Sequence, residues 1–393
     1  MIKKYIGGLF LVAGIIIVLS VWYVNNNFSN KSRPFSSYTL LVSSWERYKE
    51  KYINEDGRVI DFFQNNITTS EGQSYAMLRS VFVDDKETFD KVWKWTRENM
   101  KRPGDNLLGW KWGLSEDGEY GFLEDGGENS ASDAETDIAL ALVLAKRRWG
   151  GNEYQEEAKK ILKDLWEFNT DVILGERYLI AGNWARSTSE IVINPSYFSP
   201  YAWRIFNEID EENDWSSLID PAYDVLSQVG KDPLDKESAV GLPPDWFSIN
   251  REDGSIKPST NYGLMSHYSY DAMRVPFRVA LDYVWNDEKR AEKYLNESFE
   301  RLGNYYKANQ KLASSYSHDG QPLNHNESPT MYATALAYFL IDNPILADKI
   351  YEEKILRLYS NDENSFKDEL PYYDQNWLWF GAALYSDYLV EFS

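Results

Sequence analysis

Three stretches of the sequence place a carboxylate where it could transfer a proton. Glu71 lies in "TTSEGQSYAML", Asp133 in "NSASDAETDIALALVLAKRRW" and Asp271 in "YSYDAMRVPFRVALDY". A carboxylic acid with a raised pKa can donate a proton, and an ionised carboxylate can accept one. Each of the three carboxylates could instead have only a structural role, such as capping a helix or pairing with a cation.

The first two carboxylates stand at predicted helix starts. A serine precedes each of them, and Gln or Glu follows that serine by three residues, which is the spacing of a capping box: Ser70–Gln73 and Ser132–Glu135. The pattern predicts that Glu71 and Asp133 occupy first helical positions, where the helix dipole lowers a carboxyl pKa. A proton donor at Glu71 would therefore need a desolvating wall or a second carboxylate nearby. Because the pattern occurs twice, both helices could open into one site.

The third carboxylate precedes an arginine and a proline. Pro276 fits the first turn of a helix, so Asp271 is expected in the segment that leads into it. Arg274 is close enough to pair with Asp271, and a guanidinium would keep this carboxylate ionised. A protonated Glu71 and an ionised Asp271 in one cleft would suit glycoside hydrolysis. The alternative is an exposed Asp–Arg pair on the surface, which would contribute little to the stability of the fold.

The elements that must position these groups are mostly helical. Apolar residues recur at three- and four-residue spacing in residues 38–53 and in further stretches to the C-terminus. Strand signals are few, although residues 171–182 predict a hairpin around Gly175. No low-complexity linker divides the chain after residue 38. We therefore predict one all-α domain over residues 38–393, an α/α toroid of antiparallel helix pairs with a cleft at one end.

Composition narrows the classes of function. Aromatic residues make up 16% of the 393 residues, with 15 Trp and 28 Tyr, which suits a sugar-binding cleft as well as a core. The net charge of −21 argues against nucleic acid and anionic lipid as partners. The chain has no cysteine, which excludes disulfides and thiol catalysis.

We predict no metal and no cofactor. Three histidines are present and none forms an HExxH motif: His267, His318 and His325. The chain also lacks a Walker A loop, a Rossmann glycine loop and a GxSxG elbow.

The N-terminus predicts a membrane anchor. Lys3 and Lys4 precede an uncharged apolar stretch, residues 5–24, which is long enough to span a bilayer. We predict a signal anchor at 1–24, a polar linker at 25–37 and a catalytic domain at 38–393. The protein would cross the membrane once, with its catalytic domain outside the cell. The alternative is a cleaved signal peptide and a secreted protein.

Eight stretches in order along the chain carry a resemblance: "SEGQSYAML", "LGWKW", "ASDAETDIALALVLAKRRW", "NPSYFSP", "GLPPDW", "YDAMRVPFR", "ESPTMYATALAYF" and "YYDQNWLWFG". Together they resemble glycoside hydrolase family 8, which includes bacterial endoglucanases, xylanases, lichenases, chitosanases and cellulases associated with cellulose export. The resemblance implies an (α/α)6 barrel and hydrolysis by a single displacement with inversion.

The resemblance also implies roles for individual residues. The proton donor falls on Glu71, the carboxylate that contacts the sugar at the cleavage point on Asp133, and the catalytic base on Asp271, although some members draw the base from elsewhere. Six further positions would bind substrate: Trp110, Trp112, Tyr197, Arg274, Tyr372 and Tyr373. The family commonly has Asp where this chain has Glu135, a change that we expect to affect the chemistry little.

These observations favour a membrane-anchored, extracellular endo-β-1,4-glycanase that acts on a polysaccharide. Beside a polysaccharide synthase or export complex, such an enzyme would trim an exopolysaccharide. The first alternative is a non-catalytic glycan-binding or export accessory protein on the same barrel. The second is a polysaccharide lyase, which the negative charge and the motif set oppose. Which polysaccharide is cut, and whether action is endo or exo, stay open.

Overall fold

The computed structural model describes residues 36–124, 126–259 and 263–392. Within these ranges the chain forms thirteen α-helices: α1 Ser36–Tyr52, α2 Ser70–Val83, α3 Lys86–Asn99, α4 Ser132–Trp149, α5 Asn152–Asn169, α6 Pro200–Ile209, α7 Ile219–Val229, α8 Val275–Asn286, α9 Lys289–Ser298, α10 Glu300–Asn309, α11 Pro329–Asp342, α12 Pro344–Ile350 and α13 Tyr372–Tyr385. It also forms ten short strands: β1 Thr68–Thr69, β2 Lys111–Leu114, β3 Tyr120–Phe122, β4 Thr170–Ile173, β5 Glu176–Leu179, β6 Glu190–Ile193, β7 Phe247–Asn250, β8 Ile256–Lys257, β9 Tyr359–Ser360 and β10 Ser365–Phe366.

Six of the helices form a closed inner ring. In ring order these are α2, α4, α6, α8, α11 and α13, and α13 packs back against α2. The remaining helices lie outside the ring. Side chains from the first turns of the inner helices, or from the residues just before them, contact one another, so these helices have their N-termini at the same end of the ring.

Burial separates the two layers. In the inner helix α4 every residue from Ser132 to Ala145 is buried, whereas the outer helix α3 buries only Phe89, Val92, Trp93, Trp95 and Thr96. An inner helix contacts protein on all sides and so loses the one-sided apolar pattern that an outer helix keeps. The core is the space within and between the two layers.

The strands pair in four small antiparallel sheets. β1, β2 and β3 form one sheet, in which Thr68 faces Trp112, and β1 continues directly into α2. A second sheet joins β6, β7 and β8, and β9 pairs with β10. The hairpin predicted around Gly175 is present as β4 and β5, with Thr170 opposite Leu179.

The prediction of a mostly helical toroid is confirmed, and in the described ranges ten short strands accompany the helices. The strands are only two to four residues long, too short for an alternating pattern to identify them. Phe299 separates α9 from α10.

The predicted anchor, 1–24, lies outside the described residues, as does most of the predicted linker, 25–37. No helix in the described ranges has both the length and the apolar composition needed to cross a bilayer.

Candidate active site

An open groove of about 420 Å³ lies at the end of the ring where the inner helices begin. Its walls come from three parts of the chain: the loop residues Asp61, Phe63 and Gln64, the Tyr270–Asp271 pair, and residues 371–374. Glu71 also lines the groove, so the structure brings two of the three predicted catalytic carboxylates to one surface.

Arg274 joins all three carboxylates. Its Nη1 donates to Glu71 Oε2 at 2.9 Å and to Asp133 Oδ2 at 2.8 Å, while its Nη2 donates to Asp271 Oδ1 at 2.6 Å. The arginine side chain is 1% exposed, and Tyr75 OH lies 3.3 Å from Nη1. One buried cation therefore holds three carboxyl groups that are far apart from one another in sequence.

The bridge limits the separation of the two groove carboxylates. The rigid guanidinium fork keeps the two Nη atoms close together, so hydrogen bonds of 2.9 Å to Glu71 and 2.6 Å to Asp271 set an upper limit of about 8 Å on the separation of the bonded oxygens. This limit admits the lower part of the range of roughly 6.5–9.5 Å typical of inverting enzymes, in which a water molecule fits between the carboxylates, and it also admits shorter separations.

The surroundings of Glu71 favour its protonated form. Burial raises its pKa from 4.5 to about 7, with smaller contributions in the same direction from Asp133 and Asp271. Arg274 and the Tyr372 hydroxyl oppose this rise. The side chain keeps 23% exposure towards the groove, so a substrate can reach it. The effect of burial therefore outweighs the opposing effects of Arg274 and Tyr372 on this pKa.

Arg274 pairs with Asp271 as expected, but its lowering effect on the pKa of Asp271 is outweighed. Burial raises its pKa above 3.8 and Asp133 adds to the rise, although Arg274, Asn194 and Trp246 oppose it. Its side chain is 31% exposed. The predicted position before a helix is confirmed, because Asp271 caps a 3-10 turn, Ala272–Arg274, that continues into α8.

The capping box predicted for α2 is wrong. Thr69, not Ser70, is the N-cap, and its Oγ1 accepts from Gly72 N at 3.0 Å, so Glu71 occupies the second helical position. The Gln73 side chain points into the core, where its Oε1 accepts from Val59 N at 2.6 Å. In the folded protein the Gln73 side chain bonds to another segment, whereas in an isolated helix it would bond to the backbone at the helix start.

The second capping box is wrong for the same reason. Ala131 is the N-cap of α4 and makes no side-chain cap bond. Ser132 Oγ donates instead to Ile180 O at 2.5 Å, and Glu135 Oε1 accepts from Leu108 N at 2.7 Å. Asp133 therefore lies at the second position, with its side chain 4% exposed beneath Arg274.

Two of the predicted substrate-binding tyrosines lie at the start of α13. Tyr372 OH donates to Glu71 Oε1 at 2.9 Å and lies 3.2 Å from Thr69 Oγ1. Tyr373 OH donates to Tyr270 O at 2.6 Å, which ties α13 to the backbone beside Asp271. Tyr373 lines the groove with partial exposure, whereas Tyr372 is buried except for its contact with the groove.

Tyr197 also lies beside the charged centre. Its ring centroid is 5.4 Å from the Arg274 guanidinium carbon, and Trp246 approaches the ring edge-on at 6.0 Å.

Trp110 and Trp112 are not among the residues that line the groove. Trp112 stacks on Tyr120 at 5.1 Å, and the Arg58 guanidinium lies 4.6 Å from its centroid. Trp110 donates through Nε1 to Gly126 O at 2.9 Å, and its carbonyl accepts from Ser70 N at the start of α2. The "WKW" segment therefore supports the helix that carries Glu71, and protein groups already stack on Trp112.

One further carboxylate at the site had no predicted role. Asp245, in the quoted "GLPPDW" stretch, is 6% exposed and accepts from Ala272 N at 2.7 Å, from Ser269 N at 3.1 Å and from the Ser269 hydroxyl. Burial and the nearby Asp271 raise its pKa from 3.8 to about 7. No spacing rule in the sequence links Asp245 to the turn that it holds.

Comparison with known families gives one match, over residues 22–377, to the model of glycosyl hydrolases family 8. Among curated proteins, Endoglucanase A of Acetivibrio thermocellus is 27% identical over 90% of this chain and 75% of its own length. An endoglucanase of Cellulomonas uda is 30% identical over 61% of this chain and 63% of its own length.

Among solved structures, an endoglucanase from Komagataeibacter sucrofermentans superposes with a TM-score of 0.71 at 21% identity, covering 90% of this chain and all of that chain. At this identity the likeness concerns the fold, and it agrees with the inner and outer helix layers described above.

Proposed function

The chain belongs to glycosyl hydrolases family 8 and is a polysaccharide hydrolase of the endo-β-1,4-glucanase type, and we propose that it cleaves its substrate by inversion with Glu71 as acid and Asp271 as base. The observation that carries the proposal is the Arg274 bridge, which holds both carboxylates at the floor of one groove.

In the proposed mechanism, protonated Glu71 gives its proton to the departing glycosidic oxygen. Asp271 takes a proton from a water molecule as that water attacks the anomeric carbon from the opposite face. The raised pKa of Glu71, about 7, supports the role of acid near neutral pH. Asp133 holds Arg274 from below, and its contact with the sugar stays a prediction from the family.

Tyr372 completes the environment of the acid. When Glu71 is protonated, its Oε1–H can donate to the Tyr372 oxygen, and the Tyr372 hydroxyl can turn towards Thr69 Oγ1, 3.2 Å away. The acid would then keep a hydrogen-bond partner in both protonation states.

The test is the release of reducing ends from a panel of β-glucan, mixed-linkage glucan, xylan and chitosan. We expect the wild-type chain to cut at least one of them and Glu71→Gln, which cannot donate a proton, to lose about 10²–10⁴-fold in kcat. An equal rate for wild type and Glu71→Gln would contradict the assignment, and unsaturated products absorbing in the ultraviolet would indicate a lyase instead.

We also propose that residues 5–24 anchor the enzyme in the cell membrane with the barrel outside, where it trims an exopolysaccharide next to its synthase or export complex. The support is the apolar stretch after Lys3 and Lys4. Detection of full-length protein in the membrane fraction would agree with this proposal. Release of a shortened protein into the medium would contradict it.

A further inference from the structure

The loop that follows Asp61 presents two exposed phenylalanines at the edge of the groove. Phe62 is 48% exposed and Phe63 is 56% exposed. A phenyl ring has no polar tip, so leaving it in water costs free energy in proportion to its area. Such a ring at a functional groove suggests a ligand that covers it.

The two rings face different surroundings. Phe62 packs against Tyr52, with ring centroids 6.0 Å apart. Phe63 lines the groove that holds Glu71 and Asp271, and no ring of another described residue contacts it. One of two neighbouring phenylalanines is thus supported by the protein, and the other is open to the groove.

The loop is held in place although its tip is exposed. The Asp61 carboxylate, in a residue only 4% exposed, accepts from Phe63 N at 2.9 Å and from Gln64 Nε2 at 2.8 Å. Asp61 N donates to Ile67 O at 2.8 Å, which closes the loop. Asn65 and Asn66, with φ of 55° and 58°, make the left-handed bend that this closure requires. The backbone of Phe63 is therefore held at the groove, which limits where its ring can go.

We propose that Phe63 is a sugar-stacking platform, which binds the apolar face of a glucosyl unit of the chain lying across the groove. The proposal rests on the proposed function, because the occupant is the same β-glucan chain. Gln64, held beside it in the groove by Asp61, supplies a side-chain amide within the same subsite.

The test measures binding of cellohexaose to the full-length chain by titration calorimetry, in the Glu71→Gln background so that the ligand is not cut. We expect Phe63→Ala to weaken binding about tenfold, Phe63→Trp to retain it, and the matched control Phe62→Ala to change it less than about twofold. Equal affinities for Phe63→Ala and Phe62→Ala, whether both unchanged or both weakened, would overturn the inference.

A failure of the proposed function would look different. If the Glu71→Gln parent bound no cellohexaose and the wild type cut no β-glucan, the proposed function would fail and this inference with it. A parent that binds while Phe63→Ala binds equally well would overturn the inference alone.

Discussion

At the scale of residues, the site depends on how one arginine divides its hydrogen bonds. Arg274 uses Nη1 for Glu71 and Asp133 and Nη2 for Asp271. Because burial removes much of the water around Glu71 and Asp271, the pKa values of both carboxyl groups are raised in spite of the cation. Glu71, with a pKa of about 7, can therefore stay protonated near neutral pH, and Asp271 is the more exposed of the two, at 31% against 23%.

The first prediction concerns the pH profile. We expect kcat/KM of the wild type to fall as pH rises through about 7, because Glu71 must be protonated to act as the acid. The Tyr372 hydroxyl favours the ionised form of Glu71, so Tyr372→Phe should raise the pKa of Glu71 and move this basic limb to higher pH. A basic limb that stays in place in Tyr372→Phe would contradict the assignment of that limb to Glu71.

At the scale of elements, short irregular segments place the chemistry and the helices support them. Asp271 and Arg274 belong to one 3-10 turn before α8, and Asp245 accepts two backbone N–H groups of that region through a single oxygen, Oδ1. Asp245 touches neither reacting carboxylate through these bonds, so we regard it as a positioning residue.

The second prediction concerns this turn. Asp245→Ala removes the acceptor for Ser269 N and Ala272 N and should lower kcat about tenfold, with a smaller change in KM, because Asp271 loses its fixed position. Asp245→Asn keeps an oxygen at the Oδ1 position and should recover most of the rate. The matched control is Asp253→Ala, since Asp253 accepts from Ser255 N in an exposed turn away from the groove.

Unchanged kcat in Asp245→Ala would rule out the positioning role. A loss of thermal stability with unchanged kcat would identify Asp245 as structural only.

The sequence predicted the helices and the Asp271–Arg274 pair because these depend on local spacing, and it predicted the toroid because helical stretches recur along an undivided chain. It predicted the capping boxes wrongly, since Gln73 and Glu135 serve backbone groups from other segments. The Arg274–Asp133 contact spans 141 residues, and no local rule anticipates it.

At the scale of the whole molecule, the parallel inner helices stack polar and charged layers along the ring axis. Four residues after Asp133 and Arg274, one turn deeper, come Asp137 and Arg278, which form a bidentate pair with both distances at 2.8 Å. Both residues are 2% exposed. This second pair lies under the site and supports the helices that carry it.

The third prediction concerns this buried pair. Arg278→Met leaves the Asp137 carboxylate buried without its cation and should lower the free energy of unfolding by about 3–5 kcal/mol, measured by denaturant titration. Lys91→Met breaks an exposed pair with Glu87 and should cost less than about 1 kcal/mol. Equal losses in the two variants would contradict the structural importance of the axial pair.

The central claim is that Glu71 and Asp271 act from opposite faces of one sugar, across a gap that admits water. The most direct test is proton NMR of the reducing ends released in the first minutes from the substrate found in the polysaccharide panel. Single displacement on a β-linked chain requires that the new reducing ends appear first as the α anomer and then mutarotate. Reducing ends that appear first as the β anomer would mean retention, and would contradict the proposed roles of both residues.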